Sequence, residues 1–133
     1  MANIILASHG ELAKGMLHSA SMIIGDLTKG VEVFCLYPGQ NPQDYADQFR
    51  LKIENSRDAW IILADILGGS VHTALSQLTA FGDVTILSGM NLNLVLSVLP
   101  VSYTHLPSSK EALDTLILIG RSGCPCAWRC ARS

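Results

Sequence analysis

The chain has 133 residues, of which 49% are hydrophobic and 15% are charged, and its formal net charge at pH 7 is −2. This length and composition predict one globular domain with a sizeable core. The charge excludes the basic surface of a nucleic-acid-binding protein, and the absence of a polybasic block or a signal-peptide pattern in the sequence predicts a cytoplasmic location away from the membrane surface.

Short apolar segments alternate with segments of helical periodicity, which is typical of an α/β domain with a mostly parallel sheet. A strand at residues 4–7 precedes a helix whose apolar residues recur on one face until Gly25, which can end it. A second strand covers residues 31–36. The second helix is expected to begin at Pro42, with Asn41 as its N-cap.

In the second half of the chain, the continuously apolar segment 60–64 predicts a central strand covered on both faces. Ser70 can cap a third helix, whose expected apolar face is Val71, Ala74, Leu75 and Leu78. Residues 84–87 predict a fourth strand, and a fourth helix follows with Leu94, Val95, Val98 and Leu99 on its apolar face.

The helical pattern weakens after Pro100. A helix at residues 108–116 and a last strand at 116–119 are predicted beyond it. Residues 123–133 match no regular element, so we expect a domain of residues 1–122 followed by a disordered tail. A metal site at the three cysteines of this tail is disfavoured, because thiolate sites usually have four ligands.

Polar residues stand where the first and third predicted strands end. Ser8, His9 and Gly10 follow the first strand, and Asp65 with the Gly-Gly-Ser sequence at 68–70 follows the third. Ligands of open parallel sheets bind at the carboxyl ends of the strands. With the strand order 2-1-3-4 these two loops are neighbours, and we predict that His9 and Asp65 face each other.

This pairing predicts phosphoryl transfer to and from His9. A carboxylate that accepts the proton of one ring nitrogen leaves the other nitrogen free as a nucleophile. Both loops open helices, whose first N–H groups and positive dipole ends favour an anion, and glycines let the backbone approach phosphate oxygens. The candidate phosphate-binding residues are Ser8, Gly10, Gly68, Gly69 and Ser70.

Each of these features also has a simpler explanation. Ser8 and Glu11 match a capping box, so that the Ser8 hydroxyl could serve only a helix amide. Gly68 with Gly69 could be only a tight turn, and Asp65 only a cap. His72, in the first turn of the third helix, could contact phosphate or a partner, but a plain surface position is the simpler expectation.

Three stretches carry a resemblance to a known family: IILASHGELAKGMLHSASMIIG, YPGQNPQD, and LADILGGSVHTAL followed by LSGMNLNLVL. Over roughly residues 3–122, the chain resembles the mannose-type IIA components of the bacterial phosphoenolpyruvate-dependent sugar phosphotransferase system. The resemblance implies that His9 accepts a phosphoryl group from HPr and passes it to a IIB component, which phosphorylates the sugar brought in by membrane subunits IIC and IID. It also implies that Asp65 hydrogen-bonds the active histidine, with Ser70 as a secondary contact.

The resemblance further implies a doubly wound α/β fold and a homodimer with a last, antiparallel strand exchanged between subunits. No cofactor and no metal are expected. The chain departs from the family at residues 101–109 and in its ending CPCAWRCARS. These differences leave the catalytic loops untouched.

Two other functions remain open from the sequence. A phosphocarrier subunit of a dihydroxyacetone kinase shares the fold and the histidine, and a non-catalytic module could hold a small anion in the same crevice. A dinucleotide-binding role is disfavoured, because the first strand-to-helix turn lacks the G-x-G-x-x-G spacing. No residue indicates which sugar is transported.

Overall fold

The computed structural model describes residues 3–104 and the pair 130–131. In this part of the chain, strands and helices alternate. The strands are β1 (Asn3–His9), β2 (Glu32–Leu36), β3 (Trp60–Ala64), β4 (Val84–Leu87) and β5 (Cys130–Ala131). The helices are α1 (Leu12–Ile24), α2 (Pro42–Glu54), α3 (Ser70–Ser76) and α4 (Leu92–Thr104), with short 3₁₀ turns at Gly25–Thr28 and Gln77–Ala80.

The sheet has the order β2-β1-β3-β4-β5, and its first four strands are parallel. The predicted α/β fold and the strand order 2-1-3-4 are therefore confirmed. Ala7 of β1 lies opposite Ala64 of β3, and His9 lies opposite Leu36 of β2. This register places the carboxyl ends of β1 and β3 side by side.

The core occupies both faces of the sheet, because successive strand residues point to opposite sides. Ile5 and Ile62 pack with α2 and α3, while Leu6 and Leu63 pack with α1 and α4. All residues of β3 are buried, as its continuously apolar sequence predicts for a central parallel strand. The two buried layers hold the strand ends in place from both sides.

The helix ends agree with prediction at some positions and differ at others. The Asn41 side chain accepts a hydrogen bond from Gln43 N at 3.0 Å, which confirms the predicted N-cap of α2. The simpler explanation of Ser8 is confirmed in part, because its Oγ accepts from a helix amide, Ala13 N, at 2.7 Å. The capping box itself is wrong, because Glu11 is the N-cap of α1 and makes no side-chain cap. The expected Ser70 cap is also wrong, because α3 begins at Ser70 and its N-cap is Gly69.

Helix α4 continues through Pro100 to Thr104, although the sequence pattern weakens at the proline. Proline removes one backbone hydrogen bond from a helix. The preceding turns of α4 bury Leu94, Val95, Val98 and Leu99 completely, and this packing offsets the loss. Among the described residues, no helix combines the length and apolar character required to cross a membrane.

The end of the chain is described only at β5. Its two residues, expected in a disordered tail, instead pair antiparallel with Ile86 and Leu87 of β4 in the same chain. An edge strand offers unpaired N–H and C=O groups that another segment can satisfy. The helix predicted at 108–116, the strand at 116–119 and the rest of the tail lie outside the described residues, and the domain limit at residue 122 stays a prediction.

Candidate active site at the ends of β1 and β3

His9 and Asp65 meet where β1 and β3 end. His9 is the last residue of β1 rather than part of the following turn, because its backbone still pairs with β2. Asp65 directly follows β3. The His9 backbone N donates to Asp65 Oδ2 at 2.8 Å, and His9 Nδ1 lies 2.7 Å from the same oxygen. Two atoms of one histidine thus contact a single carboxylate oxygen, which holds the ring in one orientation.

The Asp65 carboxylate is well satisfied in its ionised form. Its other oxygen accepts from Ile66 N at 2.9 Å, and its side chain is only 7% exposed. Burial alone would raise the pKa of Asp65, but the hydrogen bonds from His9 and Ile66 outweigh it, so the pKa lies below its ordinary value. Because an ionised carboxylate can only accept, His9 Nδ1 carries the ring proton and Nε2 presents its lone pair.

The free nitrogen of His9 faces Ser70. The distance from Nε2 to Ser70 Oγ is 3.0 Å, so the hydroxyl donates to the ring nitrogen. The His9 side chain is 45% exposed, and a reactant can therefore approach this nitrogen from solvent. Ser70 is the first residue of α3 and makes no N-cap hydrogen bond, so its hydroxyl is available to His9.

Glycines shape the loops after β1 and β3. Gly68 has φ +77° and Gly10 has φ +58°, conformations that residues with a Cβ rarely adopt. At Gly69 the limit is space, because a Cβ would lie 2.8 Å from Ile66 Cγ1 and 3.3 Å from His9 Cε1. A side chain at this position would press against the imidazole.

Three of the predicted phosphate-binding groups are already engaged in the fold. The Gly10 N–H donates to Leu36 O at 2.7 Å. Ser8 is fully buried, and its hydroxyl is shared between Ala13 N and Gly10 O. The Gly68 N–H donates to the Nδ1 atom of His72 at 3.2 Å. Of the predicted site residues, the structure brings His9, Asp65, Gly69 and Ser70 together. The Ser8 hydroxyl and the N–H groups of Gly10 and Gly68 instead bond other partners.

His72 is buried rather than on the surface, which corrects the simpler expectation for it. It is 8% exposed, and its Nε2 atom has no hydrogen-bond partner among the residues that the structure describes. Burial lowers its pKa, and the negative charge of Asp65 only partly opposes this effect. On α3, His72 lies at the edge of the apolar face that contains Val71 and Leu75. This place on the helix was the one sequence signal that pointed to its burial.

The surface around His9 is apolar and exposed. Leu12, Tyr37, Ile66 and Leu67 are each about half exposed, although their side chains are large and hydrophobic. Leu12 begins α1 and Tyr37 directly follows β2, so both lie at the same sheet edge as His9. Within residues 3–104, no cluster of three metal-ligating side chains accompanies this site.

The arrangement suits nucleophilic chemistry at one imidazole nitrogen. A buried carboxylate orients the ring, a hydroxyl lies beside the nucleophilic atom, and the ring edge is open to solvent. These are the parts that group transfer through a covalent histidine intermediate requires.

Comparison with known proteins finds a matching family model and a relative that aligns over nearly the whole chain. The family model EIIA-man, described as PTS system fructose IIA component, matches residues 3–117. The sorbose-specific EIIA component of the phosphotransferase system of Klebsiella pneumoniae is 29% identical over 131 residues, which cover 97% of this chain and 93% of that protein.

Solved structures share the fold. The phosphotransferase component EIIA of Streptococcus agalactiae superposes with a TM-score of 0.80 at 24% identity, over 92% of this chain and 95% of that one. The mannose/sorbose-specific IIA subunit of Enterococcus faecalis gives a TM-score of 0.78 at 21% identity, over 92% of this chain and 91% of that one. At these identities the likeness concerns the fold.

Proposed function

Because this chain belongs to the EIIA-man family of phosphotransferase-system IIA components, we propose that it carries a phosphoryl group on His9 during sugar uptake and phosphorylation. The observation that carries the proposal is the 2.7 Å contact between His9 Nδ1 and Asp65 Oδ2. It leaves the Nε2 lone pair as the nucleophile. The proposed donor is phospho-HPr, and the proposed acceptor is a IIB component.

In the proposed reaction, the Nε2 lone pair of His9 attacks the phosphorus atom of the donor. The new N–P bond forms as the bond between phosphorus and the donor breaks, and that electron pair stays with the donor. The ring becomes positively charged, and Asp65 stabilises this charge through Nδ1–H. Transfer to the IIB component reverses these steps, so His9 returns to its starting form.

Ser70 takes two roles in this proposal. Before attack, its hydroxyl donates to Nε2 and occupies the lone pair. The lone pair must be released for the N–P bond to form, and the hydroxyl then lies within reach of a phosphoryl oxygen. Free N–H groups in the first turn of a helix can contribute further hydrogen bonds to the phosphoryl group, and Ser70 begins such a turn.

The exposed apolar side chains around His9 support a protein as the reaction partner. A small anionic donor would gain little from Leu12, Ile66 and Leu67, which are exposed on the segments that follow β1 and β3. Protein interfaces place apolar residues at their centre and exclude water from the contact. Docking of HPr, and in turn of the IIB component, would bury these side chains while the phosphoryl group passes between histidine and partner.

The proposal is tested by intact-protein mass spectrometry after incubation with phosphoenolpyruvate, enzyme I and HPr. The wild type and the His9→Ala variant are compared, with His18→Ala as a matched control because His18 is exposed on α1. We expect one acid-labile phosphoryl group on the wild type and on His18→Ala, and none on His9→Ala.

The other outcomes contradict the proposal in distinct ways. A folded wild type that gains no phosphoryl group would favour an anion-binding module. A phosphoryl group on a residue other than His9 would refute the assignment of the nucleophile. Phosphorylated protein that passes its group to a dihydroxyacetone kinase but to no IIB component would assign it to that system instead.

A further inference from the structure

His72 is costly where it stands, and nothing in the proposed chemistry uses it directly. Its ring is 8% exposed, and its Nε2 atom lacks a hydrogen-bond partner within the described part of the chain. A buried polar atom without a partner destabilises a fold, and an apolar ring of the same size would avoid that cost. The site must therefore gain something from the other ring nitrogen.

That other nitrogen accepts a hydrogen bond from the loop. Gly68 N lies 3.2 Å from His72 Nδ1, and a backbone N–H can only donate. His72 is therefore neutral, with its proton on Nε2. Burial lowers the pKa of His72, against a smaller opposing effect of Asp65, and so favours the same neutral state.

The bond ties the loop after β3 to the first turn of α3. Gly68 has φ +77°, and its C=O accepts from Thr73 Oγ1 at 3.5 Å, so both sides of this glycine contact α3. Ser70 follows two residues later, with Oγ 3.0 Å from His9 Nε2. A shift of Gly68 would therefore move Ser70 relative to the imidazole.

We propose that His72 is a positioning residue of this site, which accepts the Gly68 N–H through Nδ1 and thereby holds the Ser70 hydroxyl against His9 Nε2. The inference rests on the proposed function for its effect on rate, but its structural part stands independently of any activity. Within the described residues no hydrogen bond joins His72 to His9, and the proposed effect on the site runs through the bond to Gly68.

The test uses two variants of the full chain. His72→Phe keeps a buried ring but removes the acceptor, whereas His72→Asn is smaller and keeps an acceptor near the place of Nδ1. His18→Phe is the matched control, because His18 is exposed on α1 and no hydrogen bond joins its side chain to the loop within the described part of the chain. The readouts are ring and amide ¹⁵N NMR, urea unfolding and the rate of phosphoryl transfer from phospho-HPr.

In the wild type we expect the NMR signals of His72 to report a neutral ring protonated at Nε2. His72→Phe should shift the Gly68 amide and the His9 ring signals and slow transfer by about three- to tenfold, the equivalent of one neutral hydrogen bond. Its stability should be equal to or above that of the wild type. His72→Asn should restore most of the rate despite lower stability, and His18→Phe should change neither quantity.

Several results would overturn the inference. One is a wild-type His72 ring that is charged or protonated at Nδ1. Another is a folded His72→Phe protein with unchanged His9 signals and rate, which would make His72 a packing residue. A transfer rate that falls in proportion to the loss of stability in both His72 variants would also make His72 a packing residue. If the wild type is not phosphorylated at all, the proposed function fails, while the NMR signals still decide whether His72 positions the loop.

Discussion

Replacing Asp65 by asparagine changes one atom of the side chain and removes its charge. In the wild type, Oδ2 accepts from both His9 N and His9 Nδ1, and Oδ1 accepts from Ile66 N. Asparagine has one acceptor oxygen and one donor nitrogen, so it cannot accept from His9 and from Ile66 N at the same time. If its nitrogen faces His9, the ring must accept at Nδ1, and the proton then occupies the nucleophilic Nε2.

The magnitude follows from these contacts. A hydrogen bond to a charged group contributes about 1.5–3 kcal/mol, which corresponds to roughly 10- to 150-fold in a rate. The loss of the correct tautomer multiplies this effect, because only the ring with a free Nε2 can attack. For oriented imidazoles the combined loss is on the order of 10²- to 10⁴-fold, and we expect Asp65→Asn to slow transfer within this range.

The assay is the single-turnover rate of phosphoryl transfer from phospho-HPr, with urea unfolding as the measure of a folded variant. Asp58→Asn is the matched control, because Asp58 is exposed just before the start of β3, away from His9, and its carboxylate accepts a hydrogen bond from the Asn3 side chain. It should transfer at the wild-type rate. A folded Asp65→Asn protein that also transfers at the wild-type rate would refute the role of the carboxylate in orienting His9.

Three further predictions concern the same loops and one distant cap. Ser70→Ala should remove the hydroxyl that is proposed to hydrogen-bond a phosphoryl oxygen during transfer, and should slow single-turnover transfer by about tenfold, the equivalent of one hydrogen bond; an unchanged rate would exclude the hydroxyl from the reaction. Asn41→Ala should destabilise the protein by about 1 kcal/mol in urea unfolding through loss of the α2 cap, with the transfer rate unchanged. Burial raises the pKa of Asp65, but the hydrogen bonds from His9 and Ile66 lower it by more, so the ionised carboxylate stabilises the folded protein. This contribution of Asp65 to the unfolding free energy should be present above about pH 4 and be lost as the pH falls further. The difference in unfolding free energy between wild type and Asp65→Asn should therefore shrink between pH 7 and pH 3, and a constant difference would contradict the lowered pKa.

The sequence alone determined the alternation of strands and helices and the faces that they bury. These features depend on local patterns: the continuous apolar run of β3, the Asn41-Pro42 cap of α2 and the left-handed Gly25 after α1. The pairing of His9 with Asp65 was also predictable. Parallel strands in the order 2-1-3-4 must end beside each other, and both residues follow such ends directly.

Only the tertiary structure decided which groups around this pair are available. Ser8 and Ser70 both precede or begin a helix in the sequence, yet packing buries the first hydroxyl against Ala13 N and directs the second to His9. His72 reads as a surface residue, but α3 turns it inward, where it accepts from Gly68. Which residues become hydrogen-bond partners across long stretches of chain depends on how the loops pack at the end of the sheet. Local sequence patterns do not specify the distances between such residues.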